Sequence, residues 1–166
     1  VIAAGATPAI TPTPTPTPAD ARVSLNTVTG RRGETVTMTC SLANGQIPCA
    51  GFGVVFKFPK GVIVKDISAE GLIAGFRLNS DIKMENWVII VADSNTNTFS
   101  GDGVLLIITV DIASDAPLGK HAVPFIRSEL VAPDSKAVAH TTIDGLIEIV
   151  TPTPTPTPAV ISTATP

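Results

Sequence analysis

Residues 86–93, N-W-V-I-I-V-A-D, constrain the fold more than any other stretch of the chain. They place the only tryptophan, Trp87, in a run of aromatic and β-branched residues, a composition typical of a β-strand. Strand side chains alternate, so Trp87, Ile89 and Val91 point to one face and the residues between them to the other. Both faces are apolar, whereas only one face of a strand meets the core of a two-layer β-protein. We therefore expect the second face to meet a helix, more of the same chain, or a partner.

Residues 20–150 are a succession of short strand patterns. The most regular is 35–42, where hydroxyl side chains alternate with Val36, Met38, Cys40 and Leu42, which is typical of a half-buried antiparallel strand. No segment sustains a 3.6-residue period, and the crossover helices of a parallel α/β fold are missing. The sequence therefore predicts an all-β sandwich or barrel of about nine strands. The expected strands cover residues 23–26, 34–42, 53–58, 62–67, 73–78, 87–91, 103–112, 122–126, 136–140 and 143–150.

Both ends of the chain are rich in Thr-Pro pairs. Residues 11–18 and 151–158 are the same octapeptide, T-P-T-P-T-P-T-P. Such repeats adopt polyproline II and act as semi-rigid spacers, each roughly 25 Å long at about 3.1 Å per residue. We predict a linker at 1–19, one domain at 20–150 and a second linker at 151–166, as in a module excised from a string of modules. The alternative is two unrelated low-complexity tails. Linkers of this composition are candidates for O-glycosylation, which favours a secreted, extracellular protein.

Composition argues against several classes of function. The net charge of −3 offers no basic patch for nucleic acid. No apolar run reaches the eighteen or so residues of a membrane span. The two histidines, His121 and His140, accompany no nucleophile motif. The carboxylates are scattered, mostly at turns, where acidic residues favour turn formation. We predict that the chain is not an enzyme, and the sequence leaves its oligomeric state open.

The sequence holds one candidate calcium loop and one candidate cysteine pair. Residues 93–97 open like a calcium loop, but Thr98 and Val104 occupy the positions where an EF-hand requires glycine and glutamate. Two cysteines and two distant histidines do not supply a zinc site. We predict no metal and no cofactor on this chain. Cys40 and Cys49 are either a disulfide, as expected in a secreted module, or two buried free thiols.

Carbohydrate binding is the main alternative to protein binding. Polysaccharide surfaces are recognised by rows of exposed flat aromatic rings. This chain has one tryptophan, no tyrosine and six phenylalanines, most of them inside apolar strand patterns. A single tryptophan cannot form a row, so the composition disfavours a polysaccharide-binding surface.

Several motifs, in order and spacing over residues 22–150, resemble the cohesin domains of cellulosomal scaffoldins. The stretch 102–108 matches the D-G-V-F-A-x-I strand of that family, and 88–94 is similar to its F-L-F-A-E-D-S strand. The remaining matches are 33–38 (G-E-T-V-T-M), 54–63 (V-V-F-K-F-P-K-G-V-I), 116–119 (A-P-L-G) and 141–147 (T-T-I-D-G-L-I).

The resemblance implies a nine-stranded jelly-roll sandwich without catalytic activity, flanked by extended Thr-Pro linkers. It implies a scaffold module that binds a calcium-loaded dockerin and so assembles a multi-enzyme complex of the cellulosome type. Calcium is expected on the dockerin, not on this chain. Dockerins bind one sheet face, formed by the third, fifth, sixth and eighth strands. The common cellulosomal type carries Asn and Asp on the third strand, where this chain has Gly51 and Gly53, so it resembles a divergent cohesin.

We therefore predict a non-catalytic module whose open sheet face captures a dockerin of an enzyme or another scaffold protein. A carbohydrate-binding module and a structural spacer of a cell-surface protein are the alternatives. Strand parity and the resemblance together select the contact residues. Ile89 and Val91 are assigned to this face, the alternative being that both belong to the core. The predicted partner-binding residues are Val55, Lys57, Ile89, Val91, Lys136 and Val138, with Asp134 at the rim.

Overall fold

A computed structural model describes residues 21–83, 87–94 and 96–151 of the chain. These residues form twelve β-strands and one turn of 3-10 helix, Gly71–Ile73, which confirms the all-β prediction. The two Thr-Pro segments lie outside the described residues, apart from Thr151. The strands are β1 (Ala21–Leu25), β2 (Thr27–Arg31), β3 (Thr35–Ala43), β4 (Gly51–Lys57), β5 (Val62–Ala69), β6 (Arg77–Lys83), β7 (Trp87–Asp93), β8 (Asp102–Ile112), β9 (Gly119–Val123), β10 (Phe125–Val131), β11 (His140–Ile143) and β12 (Gly145–Val150).

The strands form two large sheets and one small one. The five-stranded sheet has the order β11-β1-β3-β8-β5 and the four-stranded sheet the order β10-β4-β7-β6, while β2, β12 and β9 form the third. Within the described chain, only β1–β11 and β2–β12 pair in parallel. The inner faces of the two large sheets supply one continuous hydrophobic core, which includes Met38 and Ile108 from one sheet and Phe56 and Ile90 from the other. The predicted sandwich is confirmed.

The twelve strands lie in nine chain segments, three of which are broken, and β2 (Thr27–Arg31) was not among the expected strands. The breaks fall at Asn26, Pro124 and Asp144. Before Pro124, β9 pairs with β12, and after it β10 pairs with β4 in the four-stranded sheet. Proline cannot donate a ladder hydrogen bond, so it favours a break at this point. Asp144 Oδ1 accepts the hydrogen bond from the N–H of Phe125 at 2.9 Å, so two of the breaks stabilise each other.

Two predicted strands are wrong in position. Residues 132–139 form a loop where a strand was expected at 136–140, because Asp134 Oδ1 accepts the Lys136 N–H at 3.2 Å and closes a turn. Ser135 takes a positive φ of 64° within that turn. The strand expected at 73–78 begins only at Arg77, because the chain before it forms the 3-10 turn.

Candidate interaction surface

The outer face of the five-stranded sheet is rich in hydroxyl groups. Thr35, Thr37 and Thr39 alternate with buried residues on β3 and lie on its outer side. Thr35 Oγ1 donates a hydrogen bond to Asp111 Oδ1 at 2.6 Å, and Lys65 Nζ lies 3.4 Å from the same carboxylate. The hydrogen bond from Thr35 and the lysine together hold the pKa of Asp111 below its usual value. The outer side of the middle strand β3 is therefore polar, and the exposed apolar side chains of this face, Ile63 and Ile143, lie on its edge strands β5 and β11.

The outer face of the four-stranded sheet is apolar at its centre. There β7 lies between β4 and β6. Its residues Val88 and Ile90 are fully buried on the inner side of the sheet, whereas Val91 is 44% exposed. Ile89 pairs with Val55 of β4 and shares its face. Ile89 and Val91 therefore point outward, and the alternative that they belong to the core is wrong. We call Val55, Ile89 and Val91 the aliphatic centre.

One side of the aliphatic centre is bordered by β10. Arg127 lies opposite Val55, and Glu129 lies opposite Gly53. Arg127 Nε donates to Glu129 Oε1 at 3.2 Å, so the two side chains form an exposed ion pair. These residues were missed because the predicted strand ended at residue 126. The alternation of outward Arg127, Glu129 and Val131 around buried Leu130 is the signal that extends the strand.

The other side is bordered by β6, the edge strand of this sheet. Asp81 lies opposite Ile89, and Asn79 lies opposite Val91. Both side chains are exposed. An apolar centre surrounded by charged and polar groups is the usual anatomy of a protein–protein interface. Asn79 and Asp81 were not predicted on this side, because the strand was expected to end at residue 78.

Trp87 and Lys57 lie side by side at one end of the same face. The ammonium of Lys57 lies 5.7 Å from the centroid of the partly buried tryptophan ring. Such a cation–π contact at a surface position is worth about 0.5–1 kcal/mol. It covers the ring of the chain's only tryptophan with a charged group.

A depression lies at the opposite end of the face, where Gly51 and Gly53 leave the outer side of β4 without side chains. It belongs to a cavity of about 480 Å³, and we call it the two-glycine trench. Neighbouring strands are about 4.8 Å apart, so the side chains of β7 and β10 that flank β4 stand roughly 10 Å from each other. The loops that follow β7 and β10 close its end. The walls are Val91 and Asp93 on β7 and Glu129 and Val131 on β10.

Four of the predicted contact residues lie together on one sheet face, and the other three lie in the loop that closes the end of the trench. Val55, Lys57, Ile89 and Val91 share the outer face of the four-stranded sheet. Lys136 and Val138 were expected on a strand at 136–140 with Asp134 at the rim, and this strand is wrong because all three residues lie in the loop between β10 and β11. In that loop, the Lys136 ammonium bonds Asp134 Oδ2 at 2.6 Å and lowers the pKa of Asp134, and Val138 packs against the core.

Cys40 and Cys49 are two free, buried thiols, which is the second of the two states expected from the sequence. Burial raises the pKa of the Cys40 thiol to about 12. Burial also raises the pKa of Cys49, against a smaller opposing effect of the hydrogen bond from Asn44. Asn44 is the one buried polar side chain among the described residues, and it donates to Ile47 O at 2.9 Å and accepts from the Gly101 N–H at 2.8 Å. Cys49 is thereby held in the loop that Asn44 organises, and not bonded to Cys40.

Both histidines are held by polar neighbours. His140 Nδ1 lies 2.9 Å from Val138 O, so this nitrogen carries the proton, and Nε2 accepts from Ser128 Oγ at 2.8 Å. His121 Nε2 lies 2.9 Å from Pro117 O. The described residues contain no group of three or more His, Cys, Asp or Glu side chains arranged to hold a metal ion. No helix in the described part of the chain is long and apolar enough to cross a membrane.

No protein-family model and no curated protein matches the sequence. Solved structures do match. The CaCohA2 module of Clostridium acetobutylicum, solved in a complex, superposes with a TM-score of 0.73 at 18% identity, over 78% of this chain and 99% of that one. A non-cellulosomal cohesin of the archaeon Archaeoglobus fulgidus gives a TM-score of 0.71 at 17% identity, over 80% of this chain and 93% of that one. A type I cohesin–dockerin complex of Clostridium thermocellum gives 0.71 at 18% identity, over 84% and 100%. The described part of this chain therefore has the fold of a cohesin domain.

Proposed function

We propose that this chain is a non-catalytic scaffold module that binds a dockerin through the outer face of its four-stranded sheet. The observation that carries the proposal is the contrast between the two outer faces. One carries threonine hydroxyls on its middle strand, and its exposed isoleucines, Ile63 and Ile143, lie on its two edge strands, whereas the other exposes an aliphatic centre, with Val91 44% exposed, inside a polar and charged border. Apolar side chains are stabilised by burial, so the second face is the one that gains from a partner.

The comparisons support the class of partner. Two of the structures that share this fold at 17–18% identity were solved as cohesin–dockerin complexes of Clostridium thermocellum. We propose that the dockerin is calcium-loaded and belongs to an enzyme or another scaffold protein, so that binding assembles a multi-enzyme complex. We also propose that the Thr-Pro segments act as extracellular spacers between this module and its neighbours, and that any attachment to a cell surface is made through the rest of such a scaffold.

Phenylalanine burial argues against the carbohydrate-binding alternative. Five of the six phenylalanines are in the core, and the ring of Phe125 lies against Phe56 with the centroids 4.8 Å apart. Trp87 is covered by Lys57, so the described residues offer no row of free rings to a polysaccharide. A structural spacer without any partner does not account for an exposed aliphatic centre.

The test is a binding titration of the full chain against a panel of purified dockerins, with calcium and with a chelator. We expect calcium-dependent capture by at least one dockerin, lost in the Ile89→Asp variant and kept in the Thr37→Asp control on the opposite face. Retardation in gels that contain soluble polysaccharide, without capture of any dockerin, would support the carbohydrate alternative. Absence of binding in both experiments would support the spacer.

A further inference from the structure

Gly51 and Gly53 occupy a central strand where glycine has no structural advantage. Strand β4 is paired on both sides, and glycine in such a position loses backbone entropy and packs nothing. A Cβ atom at Gly51 would lie 3.5 Å from Val131 Cβ, and one at Gly53 would lie 3.9 Å from Glu129 Oε2, both ordinary contacts. Neither glycine has a positive φ. Sterics and backbone conformation within the fold therefore do not require glycine, which leaves the close approach of another molecule as the physical reason.

The side chains that line the trench indicate which kind of chemical group fits there. Its sides are apolar where Val91 and Val131 line it, and each side also carries one carboxylate. Arg127 binds Oε1 of Glu129, and the other oxygen of that carboxylate, Oε2, lies beside the trench floor at Gly53. On the opposite wall, Asp93 forms no ion pair within the described part of the chain. An occupant with an apolar stem and a cationic end complements both properties of the trench.

We propose that the two-glycine trench is the specificity-determining subsite of this face, and that it receives one long basic side chain, lysine or arginine, from the bound dockerin. The methylene stem lies over Gly51 and Gly53 between the two valines, and the cationic end reaches Glu129 Oε2 and Asp93. The cavity of about 480 Å³ also accommodates the partner backbone that carries this side chain. This inference rests on the proposed function and adds the chemistry of the partner's contact.

The experiment uses the full chain and the tightest-binding dockerin of the panel. Gly53→Val fills the trench floor, with Gly53→Ala as the smaller filling variant. Both changes add side-chain atoms at a site with ordinary clearance and raise strand propensity, so the melting temperature should not fall. Thr37→Val, on the outer face of the five-stranded sheet, is the matched control. We expect Gly53→Val to weaken binding by about tenfold or more and the control to bind as wild type.

The charge of the occupant is tested with Asp93→Asn and Glu129→Gln combined. We expect this double variant to weaken binding about tenfold and to lessen the salt dependence of the dissociation constant. Each lysine and arginine of the dockerin is then changed to methionine. The occupant is the residue whose replacement weakens binding to the wild type but not to the double variant.

The outcomes separate this inference from the proposed function. Wild-type affinity in Gly53→Val overturns the trench as a subsite, although dockerin binding itself stands. Unchanged affinity and salt dependence in the double variant overturn the basic occupant. Failure of the wild-type chain to bind any dockerin overturns the proposed function, and this inference with it.

Discussion

Ile90 and Val91 are neighbours on β7 with opposite surroundings, and they give the sharpest test of which face is free. Ile90 is fully buried, whereas Val91 is 44% exposed. Truncation of a buried isoleucine to alanine costs about 2–5 kcal/mol. Complete burial of a valine is worth about 1.5–3 kcal/mol, so the partly exposed Val91 contributes roughly 1 kcal/mol. Since a domain has only about 5–15 kcal/mol of stability, Ile90→Ala should remove a large part of it and Val91→Ala little.

The affinity for the dockerin should change in the opposite order, falling more for a change at Val91 than for a change at Ile90. Val91→Asp places a charge in the middle of the proposed interface, where a buried unpaired carboxylate is strongly unfavourable, so we expect dockerin affinity to fall by about a hundredfold or more. Ile90→Ala leaves the outer surface intact and should bind within a few-fold of wild type at temperatures where it is folded. Thermal melts by circular dichroism and dockerin titrations by calorimetry measure the two effects separately.

The expected shift for Val91→Ala is a few degrees, because about 1 kcal/mol lowers the melting temperature by roughly 2–8 °C in domains of this size range. Ile90→Ala should shift it by at least twice as much. The reasoning is refuted if Val91→Ala and Ile90→Ala destabilise equally, which would place both side chains in the core. It is also refuted if Val91→Asp remains folded and binds the dockerin as tightly as wild type.

Three further predictions concern stability and titration. Asn44→Ala leaves the Gly101 N–H without its acceptor and Ile47 O without its donor, so we expect a loss of about 2–4 kcal/mol in urea unfolding, and a loss below 1 kcal/mol would contradict this role. Cys40 and Cys49 should react with a thiol reagent only after unfolding, giving two thiols per chain without prior reduction, whereas a disulfide would give none. The pKa of Asp111 is held down first by Thr35, so its contribution to stability is present above the ordinary carboxyl pKa and is lost as pH falls through the lowered value. NMR titration of Thr35→Val should show the pKa of Asp111 rising, and an unmoved pKa would exclude the hydrogen bond as the main cause.

Most of the fold could be predicted because alternation is a local signal. Residues 35–42 and 87–91 lie in the strands expected of them, and the predicted parity of Val88 to Val91 is correct. Strand β2, which follows Asn26, and the break at Asp144 were not predictable in the same way. Each depends on a partner far along the chain, such as the N–H of Thr39 that Asn26 Oδ1 accepts at 2.8 Å. Turn chemistry explains the other error, because the Asp134–Lys136 contacts override the strand pattern at 136–140.

The residues of the candidate site could be predicted only where the alternation within a single strand determines which side chains point outward. Val55 and Ile89 follow from parity within their own strands, and pairing then brings them together. Arg127 and Glu129 reach this face only because the chain changes sheets at Pro124, an event fixed by the pairing of β9 with β12 and of β10 with β4. The trench was harder still to predict from the sequence, because it forms only where two glycines, the side chains of two other strands and two loops meet at one end of the sheet.

Fold and specificity are therefore set by different residues in this chain. Solved structures with only 12–19% identity share its architecture, which is expected if buried alternate positions and a few strand breaks determine it. The outward positions Gly51 and Gly53 on β4 carry no such constraint, because a Cβ at either would meet only ordinary contacts. Those positions can change without cost to the core, so we expect the chemistry of the proposed partner to be encoded there and not in the fold. A search for the proposed dockerin partner is accordingly better directed by the two-glycine trench and its two carboxylates than by overall similarity to known cohesins.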